Sequence, residues 1–281
     1  MSNPLRILHG PFGRLALVRL TKPMTVHAHR VCHIIFKIGG KEIAFGVRKR
    51  EHLLTDENVL LVNAWEPHWY HHYGEAHATV LLALYIDPDW FRMIDQKFAF
   101  SVHPRFFCQA SIALTPVLEN IKNDLLDLLT DRNIPSGRYL EDLLLRALVD
   151  IGSTVNRRNE MHPAELAGGA ACDARIRHAL DLMNSDDGLT TPLSEIAYTV
   201  GLSRPHFHSL FFKSTRMTPA VFSSMLKMDA ALRKLAQSRV SLSDIGRDIG
   251  FGSQSNFTRF FLHQQGVTPS QYRKVVEIVS K

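Results

Sequence analysis

The sequence predicts a multidomain α+β protein. It should have an N-terminal β-barrel, two following helices, and an all-α C-terminal domain built from a tandem helix-turn-helix. Three observations carry this. Short apolar runs between turn signals fill residues 5 to about 105. From about residue 109 the apolar spacing becomes helical. The C-terminal hundred residues then repeat themselves: IAYTVGLSRPHFHSLFFKSTRMTPAVF near residue 200 returns as IGRDIGFGSQSNFTRFFLHQQGVTPSQY near residue 250. Phe207 recurs as Phe257, Phe211 as Phe261, Thr218-Pro219 as Thr268-Pro269 and Phe222 as Tyr272, each fifty positions on. A helix, a glycine turn and a second helix starting at serine is the repeated unit.

The strands come first. Leu15–Leu20, His33–Ile38, Val59–Asn63 and Thr79–Ile86 are separated by turn residues, Gly39-Gly40-Lys41 most clearly. Leu114, Val117, Leu118, Ile121, Leu125, Leu128 and Leu129 then mark one amphipathic helix. After a break at 133–137, Leu140, Leu143, Leu144, Ala147, Leu148 and Ile151 mark another. Such a pair packs either on the β domain or on a second copy of itself. Residues 159–171, with Pro163 and Gly168-Gly169, read as a linker. The expected division is therefore 5–108 barrel, 109–158 helical dimerisation or packing segment, 159–171 linker and 172–281 helix-turn-helix domain.

In the first unit, Thr191 is expected to cap a helix with Pro192 at its first position. Leu193, Ile196, Ala197 and Val200 face inward, Gly201 turns the chain, and Ser203 caps the next helix. Phe207, Leu210 and Phe211 point inward on that helix, which leaves Arg204, Pro205, His208, Ser209 and Lys213 outside. In the second unit Leu242, Ile245 and Ile249 are buried, and Gly246 takes the close-contact position of Ala197. Gly250-Phe251-Gly252 turns and Ser253 caps. Phe257, Phe260 and Phe261 face inward, and Gln254, Ser255, Asn256, Thr258 and Arg259 face out. Amide and guanidinium groups can bond two base-edge atoms at once, so this face suits major-groove reading. Residues 219–237 read as one helix about 27–30 Å long, close to the ~34 Å between successive major-groove faces. Thr268-Pro269 starts a final helix expected to end near Ile278.

Charge fits that reading. From Cys172 onward there are 14 Lys+Arg against 9 Asp+Glu, so nearly all of the net +6 lies on the repeat half. Lys213, Arg233 and Arg247 are candidate phosphate contacts. No apolar run approaches the ~20 residues of a membrane span, so no membrane partner is expected. Arg6, Arg14 and Arg19 interrupt the N-terminal apolar stretch, which argues against a signal peptide. Three scattered cysteines (Cys32, Cys108, Cys172) support neither a disulfide framework nor a thiolate zinc site. A reducing, cytoplasmic compartment follows.

Residues 173–276 resemble the DNA-binding domain of AraC/XylS-type transcriptional regulators. Ile245, Gly250-Phe251, Phe257, Arg259, Phe261, Gly266-Val267-Thr268-Pro269 and Tyr272-Arg273 carry the resemblance. It implies a seven-helix domain that spans asymmetric promoter DNA and works with RNA polymerase, usually as an activator. The first unit departs from the family pattern at Ser209, Phe212 and Arg216. Lys227 stands where arginine is usual, and Leu262 replaces a frequent lysine.

Eight of the fifteen histidines fall between residues 27 and 77. His27, His29, His33 and Gly40, then Pro67 and His72, approximate the spacing of a cupin metal motif, with His33 at the glutamate position and Trp69 at a glycine position. Residues 8–100 therefore resemble a cupin-like sensor barrel. Two histidines two apart on a strand share a face. His27, His29, His33 and His72 are thus candidate ligands for a divalent metal; alternatively their imidazoles line a metal-free pocket. Trp65, Trp69, Tyr70, Tyr73 and Phe36 offer aromatic walls.

Three readings follow. The first is a sequence-specific, DNA-binding, homodimeric regulator, probing a small-molecule effector with its barrel and without catalytic residues. The second is a metal-dependent cupin enzyme fused to a DNA-binding domain. The third is a constitutive architectural DNA binder.

Overall fold

Strands β2 (Gly13–Leu20) and β4 (Cys32–Gly40) flank β9 (Thr79–Ile86) in antiparallel register, and this trio centres the N-terminal domain. The computed structural model describes residues 3–48, 50–71, 78–94, 106–131, 136–156, 173–215, 217–237 and 239–279. Around the trio lie β1 (Asn3–Gly10), β7 (Asn58–Val62), β10 (Ser111–Ala113) and β11 (Val276–Ile278), giving a seven-stranded sheet of order β10-β7-β4-β9-β2-β1-β11. Strands β3 (Met24–His27), β8 (His68–His71), β5 (Ile43–Val47) and β6 (Arg50–Leu54) form a second sheet in that order.

Period-two alternation sorts the side chains of the large sheet between two cores. Leu15, Leu17, Ile34, Phe36, Val59, Leu61, Leu82 and Leu84 face one way. After the short helix α1 (Pro88–Ile94), helices α2 (Pro116–Thr130) and α3 (Gly137–Asn156) cover them with Leu118, Ile121, Leu125, Leu140, Leu143, Leu144 and Ala147. The apolar faces of both helices are thus filled from within the chain, each buried aliphatic side chain contributing about 1.5–3 kcal/mol. Ile35, Leu60, Val62 and Leu81 face the other way, onto Ile43, Phe45, Val47, Leu54 and Tyr70 of the small sheet. The N-terminal domain is therefore sheet-rich, as expected. The barrel, however, is not closed: among the described residues the strands fall into two separate hydrogen-bonded sheets, because no ladder joins β6 or β3 to an edge of the large one.

Two compact units divide the chain: residues 1–162 with 265–281, and residues 163–264. The second is helical. It holds α4 (Ala174–Asn184), α5 (Leu193–Thr199), α6 (Arg204–Thr215), α7 (Pro219–Gln237), α8 (Leu242–Asp248) and nearly all of α9 (Gln254–Gln265).

The return of residues 265–281 to the first unit departs from the expectation. Helix α10 (Pro269–Val275) starts as predicted, with a Thr268–Gln271 capping box and Pro269 in its first turn. It stops before Val276. The run of Val275, Val276, Ile278 and Val279 is β-branched, and the edge of β1 offers it a ladder. β11 pairs parallel to β1, with Ile7 opposite Val276 and His9 opposite Ile278. Val279 N–H donates to the His9 carbonyl at 2.9 Å. Arg6 donates to both carboxylate oxygens of Glu277 at 3.1 and 3.0 Å, a bidentate pair.

Thr191 also departs from expectation. Helix α5 begins at Leu193 with Pro192 as its cap and no side-chain cap bond. The Thr191 hydroxyl instead donates to the Asp187 carbonyl at 2.9 Å, a local bond that competes with capping.

Candidate nucleic-acid interface

Both helix-turn-helix units close their first helix in the same way. Leu202 N–H donates to the Ala197 carbonyl and Gly201 N–H to Tyr198; in the second unit Phe251 donates to Gly246 and Gly250 to Arg247. Each pair is a Schellman turn, and the glycine takes positive φ, +70° at Gly201 and +86° at Gly250. At Gly246 an added Cβ would sit 3.0 Å from Cβ of Phe257, so absence of a side chain lets α8 and α9 cross closely.

Paired phenylalanines hold the second helix of each unit. Phe207 and Phe211 are fully buried with ring centroids 5.5 Å apart, and Phe257 and Phe261 are equally buried at 5.9 Å. Helix α7 is continuous over the predicted residues and touches both units. Its Phe222 ring lies 5.6 Å from Phe211. Its Lys227 ammonium stands 5.3 Å over the Phe251 ring, and Lys234 pairs with Asp248 at 2.7 Å. Burial lowers the Lys227 pKa.

This scaffold leaves the predicted readers outward. Arg204, Pro205, His208, Ser209 and Lys213 are exposed on α6, and Gln254, Ser255, Asn256 and Arg259 on α9; Thr258 is half-buried. Ser253 caps α9, accepting from Asn256 N–H at 3.2 Å. Arg259 donates to the Asn256 amide oxygen at 2.6 Å, which holds two of the proposed readers in a fixed relation. Leu210 and Phe260, expected inside, are half-buried, and the Phe260 ring lies tilted against Phe251 with centroids 4.8 Å apart. Arg233 and Arg247 are ion-paired with Asp229 and Asp244 on their own helices. Engaging phosphate with either would exchange that pair for a new one.

A second cluster lies in the N-terminal unit. β3 and β8 place His27 opposite His68. On the facing sheet, His33 stands opposite Tyr85 and Tyr85 opposite Arg14, so the three form a row across β4, β9 and β2. His29, just after β3, stands between the sheets. Ring centroids are 4.3 Å apart for His27–His68, 4.9 Å for His27–His29, His29–His33 and His33–His68, and 4.4 Å for His33–Tyr85. The Arg14 guanidinium lies 3.8 Å over the Tyr85 ring.

Burial pushes His29 and His33 well below the ordinary imidazole range, and neighbouring imidazoles push them further. Burial likewise brings His68 to about 4. These rings are therefore neutral near pH 7. Of the four predicted metal ligands, His27, His29 and His33 come together, and His72 lies outside the described residues. His68 joins them instead. Only the pairing of β3 with β8 reveals it, because its spacing from Pro67 fits no motif.

A family profile described as a helix-turn-helix domain matches residues 196–275. The chain is 26% identical over 106 residues to the lactose operon transcription activator of Staphylococcus xylosus, covering 38% of each protein. It is 25% identical over 148 residues to a Streptomyces lividans protein named as an AraC-like transcription regulator, covering 52% of this chain and 48% of that one. The chain thus spans less than half the length of these curated relatives. The structure of ToxT from Vibrio cholerae aligns over 93% of this chain and 97% of its own, with a TM-score of 0.57 at 12% identity, which establishes similarity of fold. Among the described residues no helix is long and apolar enough to cross a membrane.

Proposed function

We propose, from a C-terminal region that is an AraC-type helix-turn-helix domain, that this protein is a sequence-specific regulator of transcription, reading promoter DNA under the control of an effector. One observation carries the reading most: two helix-turn-helix units share one scaffold and expose different polar faces. A single chain then reads an asymmetric site. Gln254, Ser255, Asn256, Thr258 and Arg259 supply most base contacts, with Arg204, Pro205, His208, Ser209 and Lys213 on the other half-site. Arg233 and Arg247 are proposed phosphate contacts.

The N-terminal sheets, read as a cupin-like sensor spanning residues 5–108, receive the effector. The helical segment 109–158 is the proposed homodimerisation element, and 159–171 the linker to the reading domain at 172–281. Because the helices' apolar faces are already filled within the chain, self-association would use their outer surfaces. Activation through RNA polymerase, in the cytoplasm, is the proposed outcome; a relative named as an activator supports it. The enzyme alternative finds no support in these relatives, which are named as regulators.

The test is selection from a random double-stranded DNA library with the full chain. The expected result is an enriched motif of two unlike half-sites about one helical turn apart. Failure to enrich any motif, with retention only of bulk polyanion binding that vanishes with salt, would refute sequence-specific reading.

A further inference from the structure

We propose that His27, His29 and His68 bind a divalent transition-metal ion, with His33 as fourth ligand, and that this ion is the effector. The effector role rests on the regulatory reading above; the binding site does not.

The ligand atoms of His27, His29 and His68 all lie within 4.8 Å of one another. A tetrahedral ion with nitrogen ligands at about 2.0–2.1 Å would draw them to about 3.4 Å. Small side-chain rotations of His27 and His29, both partly exposed, supply that approach. His68 and His33 are held on strands and almost fully covered, at 3% and 2% exposure.

Three features separate this cluster from histidines that merely fill a core. His68 Nδ1 lies 2.9 Å from the Glu66 carbonyl oxygen. A proton there leaves the Nε2 lone pair available to a metal, as the outer bond of a metal-ligating histidine does. The support continues outward: Glu66 accepts from Arg48 at 2.7 Å and from the Asn63 backbone N–H at 2.9 Å. Trp65 N–H donates to the His29 carbonyl at 2.6 Å, which ties both ligand-bearing segments together. Finally, His33 Nε2 is buried without a hydrogen-bond partner. An unsatisfied buried polar group costs about 1–3 kcal/mol, and a metal ion at the cluster would relieve it.

The chemistry selects a class of ion. An all-imidazole set suits zinc, copper, nickel or iron rather than magnesium or calcium, which prefer oxygen. Arg14, the nearest permanent cation in the row, is placed over the Tyr85 ring and donates to Gln265 at 3.2 Å. Through His33, Tyr85 and Arg14 the cluster therefore reaches residues 265–281 of the same unit, which continue directly from α9.

The experiment uses the full chain stripped with a chelator. Zinc is titrated calorimetrically, and cobalt(II) is followed by its ligand-field absorption. The expected result is about one ion per chain with a tetrahedral cobalt spectrum. His29→Gln and His68→Gln should each weaken zinc by more than ~100-fold, beyond the roughly 10–100-fold of outer-shell changes. His33→Gln should weaken it less, and His52→Gln, on β6, not at all. Near-UV circular dichroism of each metal-free variant checks that it is folded. No saturable binding, or folded variants that bind like the wild type, would overturn the site. DNA affinity is then measured by anisotropy on the fragment enriched above. Zinc should shift it at least ~5-fold in the wild type and not in His29→Gln. Metal binding without that shift overturns the effector role. Absence of DNA binding with and without zinc would instead indict the regulatory reading.

Discussion

The two helix-turn-helix units share a turn and differ in what surrounds it. At Gly201 an added Cβ would meet open space. At Gly250 it would come within 3.0 Å of the Leu189 carbonyl and of the Lys227 ammonium. The second unit is braced from α7 by Lys227 over Phe251 and by Lys234 on Asp248, whereas the first meets α7 through the Phe211–Phe222 ring contact. The second unit's reading face is also pre-set by the Asn256–Arg259 bond. Pre-organised donors lose less entropy on binding. The two units share one backbone solution and differ on the exposed faces and in the bracing.

The comparison breaks first at the shared scaffold. Phe207→Ala and Phe257→Ala should each destabilise the helical unit by about 3–5 kcal/mol. Urea unfolding should give similar losses, since both rings are fully buried; one much smaller loss would show that the cores are not equivalent. At the reading faces, Arg259→Ala should cost about 1–3 kcal/mol in DNA affinity and relax the motif at one base, while His208→Ala costs less than about 1 kcal/mol. Equal costs would make the units equal readers. At the turns, Gly201→Ala should lose about 1 kcal/mol from the left-handed backbone alone, and Gly250→Ala about 2 kcal/mol or more because a steric term is added. Thermal melting orders the two variants, and a reversal would remove the case for tighter bracing. Ser253→Ala should cost about 1 kcal/mol for a lost cap, read as a lowered melting temperature.

Much of the second unit was legible because a helix imposes one strong period. Phe257 and Phe261 fall on the buried stripe and Gln254, Ser255, Asn256 and Arg259 on the opposite one, so inside and outside follow from spacing. Glycine at positive φ was equally readable. Strand pairing is not local in this way. His68 joins the cluster because β3 and β8 pair in one register, and four-residue strands carry too little pattern to announce it. Motif spacing pointed instead to His72. The end of α10 failed for a related reason: Tyr272-Arg273-Lys274-Val275 continues a helical pattern, and only the vacant edge of β1 makes the extended form of the next residues the better choice. Thr191 shows the limit of reading caps by residue type, since its hydroxyl had a closer acceptor in Asp187.

The β1–β11 pairing also sets an order of events during synthesis. β1 is synthesised before the strand that covers its outer edge, which emerges roughly 270 residues later. Until then the nascent chain exposes an unpaired edge, the kind of template that recruits neighbouring chains. Arg6 on β1 is the kind of cationic residue that discourages such pairing in the interval. Arrival of Glu277 converts the same arginine from a guard into a clasp.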